Sequence, residues 1–386
     1  MPNWLRALLC CGNPKKRAIA FAGAPATTTA PGHGDGVSLP AMSDGGPGPS
    51  TPRARGPVMA HDPGSAMMRA YHRDDARPAI FECDAAGDRP THARVTMLPF
   101  THPYDYDGSL QDRLALLGEC LDSAALLGAR DDAGTLPIVL APEAFLSKQD
   151  GRALTDEEHR HAFERIAEYS KEHPGVLIIP GTCYFATRTQ AFNVVPVFYG
   201  GALQCVYCKR WPGGNERLEE RGWGTLYPDA SRDTRALFRL RGLLFATEVC
   251  NDYRRNHVLR FYDKHVKDSA EYADVEGVDV HILPSLGVLP ETDWLSTYAD
   301  KAEGATEEQR VIKFTHSRAR QGGYFLHCDA GASGEGRPDA DQIKNTKCTI
   351  YRREDDDADH TGYTKIGLDI EPVSGLMSFD PFPFPG

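Results

Sequence analysis

The sequence predicts an α/β fold: two sheets packed face to face, with helices covering their outer sides. Two observations lead there. Helical and buried-strand patterns alternate early in the folded part, and later runs are strand after strand, with hairpins inserted. A third observation sets the domain plan. Residues 18–66 are dominated by Ala, Gly, Pro, Ser and Thr with no lasting period. Such a stretch buries too little apolar surface to offset chain entropy. Residues 1–90 are therefore expected to be a disordered arm, and residues 91–386 one domain.

Taken in order, R-V-T-M-L-P-F (94–100) reads as the first strand. Asp107 to Arg130 reads as a helix, with Leu110, Leu114, Leu117, Leu121, Ala124 and Ala125 at helical spacing. A buried strand over 135–145 ends in Pro142-Glu143. Thr155 opens a second helix, since T-D-E-E is a capping box with Glu158 three residues on, and Pro174-Gly175 stops it. Strands follow at 176–185, 192–199 and 202–209, the last two a hairpin about Gly200-Gly201. The apolar run Leu243 to Val249 is a buried strand that carries Cys250 at its end. Residues 278–285 form another strand, 311–320 a helix, 324–331 a strand, and 347–353 with 365–371 a late hairpin.

Composition narrows the function. Hydrophobic residues make up 41% and charged residues 25%, as in a soluble globular protein. The net charge of −11 excludes general nucleic-acid binding. Ten cysteines show no disulfide framework and fit a reduced compartment, so the catalytic domain is expected in the cytoplasm. No apolar run approaches the ~20 residues of a membrane span. The arm is basic: residues 1–60 hold six Lys or Arg against two Asp. Its start places Trp4, Leu5, Leu8 and Leu9 before Cys10 and Cys11, then Lys15, Lys16 and Arg17. Acylation beside such a patch gives a weak membrane anchor, although a frayed tail explains the same residues. A polar, disordered arm ahead of a compact enzyme also suits export from a bacterium into a host cell.

Three reactive side chains follow the C-terminal ends of buried strands, where a sheet brings its functional groups together. These are Glu143, Lys209 and Cys250. Each has a plain structural explanation: a helix cap, a hairpin lysine, a buried thiol. Together they describe a thiol nucleophile, a carboxylate base and a cation for the developing oxyanion.

This pattern resembles the nitrilase superfamily of carbon–nitrogen hydrolases over roughly residues 93–372. P-E-A-F (142–145) resembles the family's glutamate motif, and K-R-W-P-G-G-N-E-R (209–217) its lysine motif. V-C-N-D-Y-R (249–254) resembles its cysteine motif, and S-R-A-R-Q-G-G-Y-F-L-H-C-D-A-G (317–331) its late helix-and-strand segment. The resemblance implies a four-layer α-β-β-α sandwich, a homodimer and no metal or organic cofactor. It makes Cys250 the nucleophile, Glu143 the general base and Lys209 the oxyanion partner, with a backbone N–H just after Cys250. Glu216, or failing it Glu219, falls where the family places a second glutamate. The substrate would be a small amide, an N-carbamoyl compound or a nitrile.

Cys250-Asn251-Asp252 with Arg254 is nearest to the branch that hydrolyses N-carbamoyl-D-amino acids. That makes Asn251, Tyr253 and Arg254 candidate substrate-binding residues, with Arg255 in reserve. Tyr253 stands where that branch has an arginine, and Ala319-Arg320-Gln321 departs from the family pattern. A second hypothesis is therefore a nitrilase-fold protein that has lost activity and acts as an exported effector or binding module. Cys205 and Cys208 are three apart on a strand and face opposite ways, which argues against a metal pair. His257, His281, His316 and His327 raise a Cys–His protease, but no spacing supports it, and His281 reads as a core histidine. Asp355–Asp357 with Asp359 reads as a solvated loop.

Overall fold

The computed structural model describes residues 78–98, 100, 108–148, 151–186, 191–213, 236–288, 296–298, 312–314, 317–330, 348–354, 362–366 and 376–386. The strands are β1 Ile80–Glu82, β2 His92–Met97, β3 Thr135–Leu140, β4 Leu177–Ile179, β5 Cys183–Ala186, β6 Ala191–Tyr199, β7 Ala202–Cys208, β8 Leu237–Leu240 and β9 Leu243–Thr247. They continue with β10 Val278–Ser285, β11 Ser296–Tyr298, β12 Ile312–Phe314, β13 Ala319–Asp329, β14 Thr349–Arg353, β15 Gly362–Lys365, β16 Met377–Ser378 and β17 Phe382–Pro383. The helices are α1 Leu110–Gly128, α2 Asp156–Glu172, α3 Asn251–Arg254 and α4 His257–His265. The basic segment with Cys10 and Cys11, the acidic run Asp355–Asp357 with Asp359, and the second half of the late hairpin beyond Ile366 lie outside the described residues.

The strands form two mixed sheets. One runs β1-β8-β9-β10-β13-β14-β15-β12-β11; the other runs β16-β2-β3-β4-β6-β5, with β17 also on β2 and β7 on β6. The expected layering follows from alternation along the strands. Val95, Met97, Ile138, Leu140, Val195 and Val197 of one sheet share a buried cluster with Phe245, Val280, Ile282, Tyr324 and Leu326 of the other. Their neighbours Val139, Ile178, Val194 and Phe198 instead pack under Leu114, Leu117 and Leu121 of α1 and Ala162, Phe163 and Ile166 of α2. On the second sheet, Tyr253 of α3 lies against His281 and Phe325, with ring centroids 6.2 and 5.5 Å away. Helices thus cover both outer faces.

Local chemistry accounts for the element ends. Thr155 and Glu158 form the expected capping box at α2, and Ser109 with Asp112 forms a second one at α1. Gly200 and Gly201 take φ of 62° and 84°, the left-handed pair that a two-residue hairpin needs. Cys205 and Tyr207 face the inter-sheet core, whereas Val206 and Cys208 face the helices.

Three expectations are corrected. The helix expected over 311–320 is not found among its described residues: Ile312–Phe314 is β12, paired with β11 and β15, and β13 already starts at Ala319. Ile312 and Phe314, β-branched and aromatic, are residue types that suit strand pairing, which outweighs the apparent helical spacing. The strand expected over 176–185 is broken into β4 and β5 at Pro180-Gly181. A Cβ on Gly181, whose φ is +71°, would lie 2.0 Å from the Pro142 carbonyl oxygen, so this close approach requires glycine. Finally, β1 pairs in parallel with β8, so sheet structure begins ahead of residue 91.

Phe325 is fully buried and touches Tyr253, His281, Tyr351 and Tyr363. Phe325→Ala should lower stability by about 3–5 kcal/mol, read as a shift in the urea midpoint. Leu126→Ala, at a side chain 66% exposed, should change it by less than about 0.5 kcal/mol.

Candidate active site

Glu143 follows β3 in one sheet, and Cys250 follows β9 in the other. The end of β10 holds both through three successive carbonyl oxygens. Pro284 accepts the Cys250 N–H at 3.1 Å, Ser285 accepts the Glu143 N–H at 3.4 Å, and Leu286 accepts the Cys250 thiol at 3.8 Å. Ser285 and Gly287 are themselves fixed by Asp329 at the end of β13. Its Oδ1 accepts the Ser285 hydroxyl at 2.6 Å and the Gly287 N–H at 2.8 Å. The Ser285 hydroxyl also contacts His327 Nε2 at 2.8 Å.

Lys209 leaves β7 and reaches Glu143, with Nζ 2.6 Å from Oε1. Both side chains are almost wholly buried. Asn193 of β6 donates its amide to the same oxygen at 3.0 Å, and its carbonyl accepts the Lys209 N–H at 2.9 Å. The turn that presents Glu143 is braced by Thr182, whose hydroxyl accepts the Ala144 N–H at 2.8 Å. It is braced again by Arg113 of α1, whose guanidinium donates to the carbonyls of Ala144, Phe145 and Lys148.

Two residues at this centre carry backbone conformations that L-residues rarely adopt. Ala144 has φ of 59°, and Cys250 has φ of 45° with ψ of −106°. Such conformations cost on the order of 1–3 kcal/mol each and persist where the surroundings enforce them. At Cys250 the enforced turn passes directly from β9 into α3 and leaves the side chain 7% exposed. A strained strand-to-helix turn of this kind is one way to present a nucleophile.

Burial pushes the Cys250 thiol well above its ordinary range, and the Glu143 carboxylate pushes it further, while Lys209 pulls it back. The resting thiol is therefore neutral, with Glu143 beside it as hydrogen-bond acceptor. A carboxylate so placed can take the thiol proton as the sulfur attacks, and a cation 2.6 Å from that carboxylate can face a developing oxyanion.

Of the residues read from sequence, Glu143, Lys209 and Cys250 converge. Glu216 and Glu219 lie outside the described residues. Asn251 donates its amide to the Pro212 carbonyl at 3.0 Å, tying α3 to the segment after Lys209. Tyr253 is buried in the aromatic layer with His281 and Phe325, and Arg254 is exposed on α3. His327 stays beside the Ser285 hydroxyl, whereas His257 and His281 lie elsewhere. His257 packs against Arg210 and Trp211, and burial with the nearby arginines lowers it to about 3. His281 meets Glu248 at 2.9 Å, both fully buried, and His316 lies outside the described residues.

Asn193, Ser285 and Asp329 are site residues that the sequence reading misses, and Asp252, read from sequence only as part of the cysteine motif, turns out to face the segment around Lys209. Asn193 carried a signal: an amide inside the apolar run F-N-V-V needs a buried partner. Asp329 carried one too, as a carboxylate closing a buried strand.

No protein-family model and no curated protein matches the sequence. Solved structures do align with it. An amidase from Nesterenkonia sp. is 13% identical over 76% of this chain and 92% of that one, with a TM-score of 0.43. Nit3 of Saccharomyces cerevisiae, a member of branch 10 of the nitrilase superfamily, is 12% identical over 77% and 92%, with a TM-score of 0.42. XC1258 from Xanthomonas campestris, a CN-hydrolase superfamily protein with an arsenic adduct in its active site, is 19% identical over 50% and 64%, with a TM-score of 0.32.

Since the Glu143 charge raises the thiol and Lys209 lowers it, Glu143→Gln should move the pH profile of Cys250 alkylation to lower pH. Lys209→Met should move it to higher pH. Iodoacetamide labelling, followed at the Cys250 peptide by mass spectrometry, reads both shifts.

Proposed function

We propose that the chain is a thiol-dependent hydrolase of non-peptide C–N bonds in small molecules and belongs to the nitrilase superfamily. One observation carries this reading. A thiol on a strained strand-to-helix turn, a buried carboxylate and a buried ammonium meet at one point, from strands of two sheets.

The chemistry follows from the positions of the groups. The Cys250 sulfur attacks the carbonyl carbon of an amide or carbamoyl group, and its proton passes to Glu143; a nitrile would instead give a thioimidate whose nitrogen takes that proton, and one water must add to it before ammonia leaves and the same thioester is reached. For an amide or carbamoyl group, the negative charge that develops on oxygen is met by the Lys209 ammonium and the Asn251 N–H. The Asn251 N–H is the first of α3 and has no acceptor within that helix. Collapse breaks the C–N bond, Glu143 returns the proton to nitrogen, and ammonia or an amine leaves. A thioester remains on Cys250. Water attacks it, again giving a proton to Glu143, and the acid and the thiol are released. Each step uses protons and electron pairs that the three side chains and water supply.

Glu216 and exposed Arg254 are the proposed substrate-side groups, Arg254 for a carboxylate and Glu216 to orient the reacting centre. Asn251 serves the site by tethering α3, beyond any contact with substrate, and Tyr253 by packing beneath it.

Ammonia release should be measured across a panel of small amides, N-carbamoyl amino acids and nitriles. Turnover of at least one class is expected, with Cys250→Ala lowering it on the order of 10³-fold or more. Turnover that survives Cys250→Ala, or none across the panel, would sink the proposal.

A further inference from the structure

We propose that Asp252 is a positioning residue: its carboxylate holds the chain on both sides of Lys209, and so sets the reactivity of Cys250. The inference rests on Cys250 being the nucleophile.

Asp252 is fully buried, two residues after Cys250 on α3. Its carboxylate gathers three residues that flank Lys209. The Tyr207 hydroxyl, two residues before the lysine, donates to Oδ2. The Arg210 N–H, one residue after, lies 3.1 and 3.2 Å from the two oxygens, and the Trp211 N–H, two residues after, lies 2.9 Å from Oδ1. Only a carboxylate offers two oxygens with enough lone pairs to accept from all three at once. The anchor is itself fixed, since the Asp252 N–H donates to the Val249 carbonyl at 2.8 Å. The turn that strains Cys250 and the clamp on Lys209 are therefore one rigid piece.

Lys209 needs such a clamp. Its side chain has four rotatable carbons, and its ammonium must sit beside a buried carboxylate. A lysine loses considerable rotamer freedom in being held there, and its backbone must not drift. The Asn193 carbonyl fixes the Lys209 N–H; Asp252 fixes what comes before and after. Burial raises the Asp252 carboxyl to about 7, against the opposing pull of Lys209, Tyr207 and the two backbone N–H groups. The carboxylate therefore senses the lysine charge across the clamp.

The direction of change separates positioning from simple charge. Removing a nearby negative charge would by itself make the thiol more acidic. Letting Lys209 drift would make it less acidic, because Lys209 is what pulls the thiol down. The test is the pH profile of Cys250 alkylation by iodoacetamide in the full chain, read at the Cys250 peptide. The variants are Asp252→Asn, Tyr207→Phe, Lys209→Met and Asp252→Asn with Lys209→Met, and thermal melting confirms that each is folded. Asp252→Asn should shift the profile to higher pH. Tyr207→Phe, which keeps the charge and loses one bond, should shift it the same way by less. In the Lys209→Met background, Asp252→Asn should add no upward shift. A shift to lower pH, no shift in the folded variants, or a full shift without Lys209 would overturn the proposal. If Asp252→Asn does not fold, the Tyr207→Phe profile decides alone. The probe needs no substrate, so a positive result stands apart from the turnover panel. A wild-type Cys250 that resists alkylation at every pH would instead overturn the reading of it as nucleophile, and this inference with it.

Discussion

Three carbonyl oxygens in a row, at Pro284, Ser285 and Leu286, are what make one site out of two sheets. They accept the Cys250 N–H, the Glu143 N–H and the Cys250 thiol in turn. Cys250 comes from the sheet that contains β10, whereas Glu143 comes from the other, so the Ser285 bond crosses between layers. Sheet packing alone leaves some freedom of sliding. A hydrogen bond from the peptide of a functional residue to the facing sheet removes that freedom where it matters. Asp329 fixes the Ser285 hydroxyl and the Gly287 N–H, and so keeps the three carbonyls in register.

The arrangement costs stability in two places. A buried ion pair such as Glu143 with Lys209 gives up several kcal/mol of hydration per ion, which close geometry and added hydrogen bonds offset only in part. Here the geometry is close, at 2.6 Å, and Asn193 adds a bond to the same oxygen. The second cost is the backbone of Cys250 and Ala144. Both outlays sit at the point where the chemistry would occur, and the surrounding clamps of Arg113, Thr182 and Asp252 hold them. A protein selected for stability alone has little reason to gather a charge pair, two strained turns and a thiol within a few residues of one another.

Much of this was legible in the sequence because it is local. The apolar run Leu243 to Val249 announced a buried strand, and Cys250 stood at its end. The Gly-Gly hairpin and the T-D-E-E cap carry their own turn and helix chemistry. The rest depends on contacts between distant residues. Asp252 meets Arg210 and Trp211 some forty residues away, and nothing in C-N-D distinguishes that role from a solvated helix end. Ser285 and Asp329 meet only because β10 and β13 pair in parallel. The segment 311–320 differs from its reading for a related reason: its spacing fits a helix, but strand partners at β11 and β15 decide the state of Ile312–Phe314. The place of Tyr253 after the cysteine makes it a substrate-side candidate, and nothing in that place shows that its ring packs in the aromatic layer with Phe325.

The central claim is that Cys250 carries the acyl group between two half-reactions. The most direct measurement is the mass of the Cys250 peptide after the protein is mixed with a turned-over amide and quenched in acid within milliseconds to seconds. The account predicts an added acyl mass on Cys250 that hydroxylamine removes and that decays as free acid appears. Turnover with no adduct on Cys250 at any time, or an adduct on another residue that is formed and consumed at the rate of turnover, would contradict it.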